Sequence, residues 1–169
     1  RHNAGGDAAI FLAFAGLGIT IGFALHDATY QDFHSINGVI MSIGRLSGLI
    51  GTYLILIVLV LIARVPWVEK SLGFDHLVHL HRSIGPTALI LISVHVLTIT
   101  VAYAKEDGKD FISELFTIVT TYPWMIPAAV GFFLLLLLGL TSLNTVRKRI
   151  RYESWWKVHL VSYFAVFLS

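Results

Sequence analysis

The chain has no cysteine. That excludes disulfides, thiolate metal sites, iron–sulfur clusters and the Cys-x-x-Cys-His attachment of a c-type haem, and leaves histidine as the main soft ligand. Charge is scarce as well: 13% of the 169 residues are Asp, Glu, Lys or Arg, against 56% hydrophobic. With a mean hydropathy of +0.79 the composition is that of an integral membrane protein embedded in a lipid bilayer, not of a soluble domain. The formal net charge of +2 is too small to imply a partner, and no nucleic acid is expected to bind. There is no signal peptide with a cleavage site, no internal repeat and no low-complexity tract, although the first apolar run can serve as an uncleaved insertion signal. Proline is also rare, four in all, and Pro86, Pro123 and Pro127 lie near expected membrane boundaries. Pro86 marks either a kink or an early turn of its helix.

What is present is a series of long apolar runs. Four are each close to the roughly 20 residues that cross a hydrocarbon core of about 30 Å. They are Ala8 to Leu25, Asn37 to Ala63 (interrupted once, by Arg45), Ser83 to Ala104, and a run lying between Leu115 and Val146. A fifth begins at Val158 and reaches Ser169 after 12 uncharged residues, about 18 Å of helix and too short to span. The expected fold is all-α, a polytopic membrane helical bundle with five spans in this fragment, the fifth cut short.

Lysine and arginine in the connections give the direction, because cytoplasmic loops collect them. The link before the fifth span carries Arg147, Lys148, Arg149, Arg151 and Lys157 against one acid, Glu153. Arg64, Lys70 and Arg82 place the link between the second and third spans on the same, cytoplasmic side. "DATYQDFHSING" has neither lysine nor arginine, and Lys105 and Lys109 are outnumbered by Glu106, Asp107, Asp110 and Glu114. Those two links are expected outside, with the N-terminus in the cytoplasm and the third and fifth helices both running outward.

Eight histidines stand in this apolar chain. The segment "HRSIGPTALILISVH" begins and ends with histidine, His81 and His95, fourteen positions apart. Fourteen helical residues rise about 21 Å and rotate about 1400°, some 40° short of four turns. Both side chains therefore face the same way, one near each leaflet. A single metal ion does not bridge that distance, and "TALILIS" offers few polar groups for a proton relay. Two cofactors stacked across the membrane fit better, since a haem iron takes an axial imidazole from each side in the space between facing helices. The fifth run, "WWKVHLVSYFAVFLS", supplies His159 near its cytoplasmic start. Two helices of the same direction bring their first histidines to one depth, so His81 pairs with His159. The partner of His95 would lie about four turns after His159.

These motifs resemble the ferric reductase and NADPH oxidase transmembrane domain, six helices that hold two b-type haems. "LHRSIGPTALILISVH" and "WWKVHLVSYF" are similar to its ligand helices, and the resemblance extends from about Gly44 to the end. It implies that His81, His159 and His95 are haem iron axial ligands, with a fourth near position 172, beyond this chain. It implies also that residues 1–169 are a fragment of such a domain, without its sixth helix. The family often has an arginine near the outer haem in its second helix, and Arg45 in "SIGRLSG" matches it. Such domains are commonly followed by a flavin and nicotinamide dehydrogenase module, so FAD and NAD(P)H are expected to act from outside this chain.

The simpler readings stand beside these. A histidine in a membrane helix can hydrogen-bond a neighbouring helix and contribute packing only. Arg45 can snorkel to headgroups or pair with a carbonyl, or supply a cation for a haem propionate or an acceptor anion. His76 and His79 in "FDHLVHLHR" read as an interfacial cytoplasmic turn, or with His81 as a metal cluster. His2, His26 and His34 read as solvated, and Trp155 and Trp156 beside Lys157 as an interfacial anchor.

The expected function is electron transfer, from a cytoplasmic reduced flavin through two stacked haems to an external one-electron acceptor, ferric ion or dioxygen. The expected location is the plasma membrane. One alternative is a haem-binding relay subunit that takes electrons from quinol or a separate flavoprotein for a periplasmic reductase. Another is a metal-ion transporter built on His76, His79 and His81.

Overall fold

A computed structural model of the chain describes residues 4–26, 34–143, 146, 148, 149 and 151–168. His2, Arg147 and the "DATYQDF" link lie outside the described residues. The described elements are all helices: α1 (Ala4–His26), α2 (Ile36–Ile62), α3 (Pro66–Leu72), α4 (Phe74–Asp107), α5 (Phe111–Thr121), α6 (Met125–Ser142) and α7 (Tyr152–Leu168). In lipid every backbone N–H and C=O needs an internal partner, and a continuous helix supplies one for each. α1, α2, α4 and α6 are long and apolar enough to cross a membrane. The protein is an integral membrane protein of the polytopic helical-bundle class.

The helix ends follow from local chemistry. The Ser35 hydroxyl caps α2 by accepting from the Gly38 amide at 2.9 Å. Pro66 opens α3, where its missing N–H costs nothing, and Gly73 closes it at φ +81°, a backbone conformation that side chains disfavour. α4 is the longest element at 34 residues, about 50 Å, and so overhangs a bilayer core at its charged ends. "FDHLVHLHR" forms its first turns, so the stretch expected as an interfacial turn is helical. Pro86 sits inside α4, not at its start. The run expected between Leu115 and Val146 divides into α5 and α6, because Pro123 cannot donate to a helix and Trp124 adopts the left-handed conformation at φ +67°.

Two compact units make up the chain, residues 1–106 and 107–169. In the first, α1 lies on α2. The Tyr53 hydroxyl donates to the Ala13 carbonyl at 2.6 Å, and its ring fills the space above Gly16. α2 and α4 pack antiparallel. At one end Leu61, Val68 and Leu77 form a buried cluster that ties α2, α3 and α4 together, with Ile57, Val65, Leu72, Leu80 and Ile84 around it. At the other end glycines of α2 admit side chains of α4: a Cβ on Gly44 would meet Ile99 and Thr98, and one on Gly51 would meet Ile92 at 2.9 Å. Close approach over small residues replaces the hydrophobic effect as the cohesive device in lipid. In the second unit α6 packs against both α5 and α7. Asp110 caps α5 by accepting from the Ile112 and Ser113 amides, and Lys109 pairs with the buried Glu114 at 3.0 Å.

Candidate functional site

The site begins on the face of α4 that meets α2. His95 is half-buried, and its Nδ1 lies 2.8 Å from the Gly44 carbonyl oxygen. A carbonyl only accepts, so Nδ1 carries the proton and donates it. In the neutral ring Nε2 then holds the lone pair. The ring lies against Gly48 so closely that a Cβ there would stand 2.5 Å from Nδ1 and 2.9 Å from Cγ and Cε1. The buried Ser47 hydroxyl donates to the same Gly44 carbonyl at 3.0 Å. An imidazole that spends one nitrogen on a backbone carbonyl and presents the other is the usual arrangement of a metal-ligating histidine.

His81, also half-buried, is turned to the backbone of Val58 on α2. Fourteen residues separate His81 from His95, and fourteen separate Val58 from Gly44. α2 thus addresses both histidines at equal intervals along an antiparallel seam. Arg45 follows Gly44 in the chain and so lies at the level of His95, with its side chain exposed.

His159 belongs to the second unit, half-buried on α7. The Trp155 ring one turn earlier stacks on it, with centroids 4.7 Å apart and planes 31° from parallel. Trp155 therefore orients the imidazole.

The other described histidines stand apart from this seam. His76 and His79 are exposed on α4, as are His26 on α1 and His34 before α2. Among the described residues no group of three or more His, Cys, Asp or Glu is placed to hold a metal ion, so His76, His79 and His81 do not form the cluster that the transporter reading requires.

Sequence reasoning did not find Gly44, Ser47 and Gly48 as partners of His95. The signal was there in "GRLSGLIG", whose glycines at 44, 48 and 51 share one helical face.

The residues fit a haem axial site. His95 offers a neutral Nε2 fixed by its Nδ1 bond, and Leu91, Ile92 and Ile99 on the neighbouring turns of α4 are apolar. No curated protein and no solved structure matches the chain. A family model does match, over residues 47–169, which takes in all three candidate ligands and leaves Arg45 two positions outside. By that match the chain belongs to the ferric reductase like transmembrane component family, a family of oxidoreductases.

Proposed function

We propose that this chain is the membrane segment of an electron-transfer oxidoreductase. It carries electrons from a cytoplasmic reduced flavin, itself reduced by NAD(P)H, to a one-electron acceptor outside, ferric ion or dioxygen. The observation that carries the reading is the His95 ring, whose Nδ1–H is held by Gly44 so that Nε2 is left as a donor inside a membrane helix of this family. An ionisable side chain at such a depth is expensive and is retained for function.

His81 and His159 would hold the inner haem b, and His95 would supply a ligand to the outer one. Haem, when bound, supplies a one-electron carrier whose potential follows from its axial ligands, its burial and nearby charge. The chain's own part is to hold the His95 imidazole in the neutral, Nε2-donating form and to set the spacing of the ligands. Where two imidazoles hold such a group, as those of His81 and His159 would, it would supply one-electron transfer without binding the acceptor. Arg45, at the level of His95, offers a guanidinium to a propionate or to an anionic acceptor. The proposed orientation places the N-terminus in the cytoplasm, together with the basic link that contains Lys148, Arg149 and Arg151.

The test is an absorption spectrum of the purified full-length protein before and after dithionite. Two low-spin b-type haems per chain are expected. A protein that stays colourless when haem is supplied during expression would overturn the reading.

A further inference from the structure

Three donors converge on one backbone carbonyl at the His95 end of the α2–α4 seam. Gly44 C=O receives His95 Nδ1–H at 2.8 Å and the Ser47 hydroxyl at 3.0 Å. As a carbonyl in the interior of α2 it also faces the Gly48 amide one turn on. A carbonyl oxygen has two lone pairs, so the three compete. The competition is enclosed, since Gly44, Ser47 and Gly48 are all buried.

We propose that Gly44, Ser47 and Gly48 are positioning residues for the outer cofactor site: the Gly44 carbonyl, shared between the His95 ring and the Ser47 hydroxyl, sets how strongly His95 donates, and Gly48 provides the seat for the ring. The proposal rests on the reading of His95 as an axial haem ligand.

Two consequences follow from the geometry. The first is electronic. The firmer the bond from Nδ1–H to a carbonyl, the more basic Nε2 becomes and the more it favours the oxidised metal. Ser47 draws on the same acceptor, so its hydroxyl weakens the His95 bond and keeps the potential of that site higher than it would otherwise be. The second is steric. A Cβ at position 48 would overlap Nδ1 at 2.5 Å, and the ring is flanked on α4 by its own helix, so it must rotate and give up the Gly44 carbonyl. His81 has no glycine seat of this kind: α2 carries no glycine between Gly51 and its end at Ile62. The two sites therefore differ in what holds their ligand, and substitutions at 47 and 48 should act on one haem and spare the other.

The experiment uses the full-length protein purified with its haem. It reads the electron paramagnetic resonance of the two low-spin haems and their midpoint potentials by redox titration. Ser47→Ala should shift one midpoint to a more negative value and leave the other in place, while Ser47→Thr, which keeps the hydroxyl, should restore it. Gly48→Ala should abolish or displace one low-spin signal. Gly51→Ala is the packing control, because its Cβ would meet Ile92 at 2.9 Å in the same seam without touching His95; it should leave both signals unchanged. Should Gly48→Ala fail to accumulate, the Ser47 pair decides alone. Unchanged potentials in Ser47→Ala would overturn the proposal, as would a Gly51→Ala variant that loses the same signal as Gly48→Ala. In either case a wild-type protein with two low-spin haems leaves the proposed function standing, whereas a wild type with none overturns both.

Discussion

Tyr53 on α2 and Ala13 on α1 are joined by a hydrogen bond of 2.6 Å from the phenol to the backbone carbonyl, across forty positions of sequence. α1 lies outside the family match and is otherwise covered with exposed apolar side chains, Phe11, Phe14 and Phe23 among them. Its attachment is separate from the histidine seam. Tyr53→Phe should therefore loosen α1 while leaving the haem spectrum unaltered. A cost of about 0.6 kcal/mol, the average for a hydrogen bond between membrane helices, is expected in a denaturation titration in mixed detergent micelles.

Single alanine substitutions of His81, His159 and His95 should divide into two classes. His81→Ala and His159→Ala should remove the same low-spin signal, and His95→Ala the other. Haem content and paramagnetic resonance of the three proteins check the assignment. A shared spectrum for His95→Ala and His159→Ala would show that the pairing by depth is wrong.

Arg45 is next to the Gly44 carbonyl that holds His95, so its charge acts at that level of the bundle. A cation near a redox centre favours the form with the extra electron. Arg45→Gln should make the midpoint of the outer haem more negative and leave the inner one unchanged, and Arg45→Lys should retain most of the wild-type value. Redox titration of the three proteins gives the answer.

How much of this was legible in advance depends on what kind of signal each feature leaves. The spans α1, α2, α4 and α6 were legible because the cost of placing a residue in hydrocarbon is paid residue by residue and does not depend on packing. The division of α5 from α6 was not, because it turns on the backbone of one residue, Trp124, after Pro123. His81 and His95 were legible as a pair from helical period alone. The partner of His95 on α2 was hidden for a simple reason: a backbone carbonyl is offered by every residue, so the acceptor role of Gly44 leaves no letter in the sequence. The missing side chains at Gly44, Gly48 and Gly51 were visible, and the one at Gly48 becomes meaningful once the His95 ring is seen against it.

The cap of α5 carries a pH dependence of known sign. Asp110 lies outside the membrane spans, and hydrogen bonds from the Ser113 hydroxyl and amide and from the Ile112 amide hold its carboxyl below the usual carboxylate range. A depressed value in the folded state means the cap stabilises fully above the ordinary aspartate range, about pH 4, and fades as the pH falls through the lowered value. Amide exchange at Ile112 and Ser113, corrected for the intrinsic rate, should show constant protection at neutral pH and a loss in acid. Asp110→Ala should show low protection throughout, with no acid transition.

The seam between α2 and α4 works as a pair of matched rulers. Apart from the glycines and histidines that meet across it, the segment from Gly44 to Val58 and the segment from His81 to His95 should tolerate changes of residue better than changes of length. One residue inserted in either would turn everything beyond it by about 100° and advance it by about 1.5 Å. An insertion in α4 would swing one histidine off the shared face, and one in α2 would carry a carbonyl away from the ring it anchors. Length variation among homologous chains should therefore collect in the links between helices and be absent from these two segments.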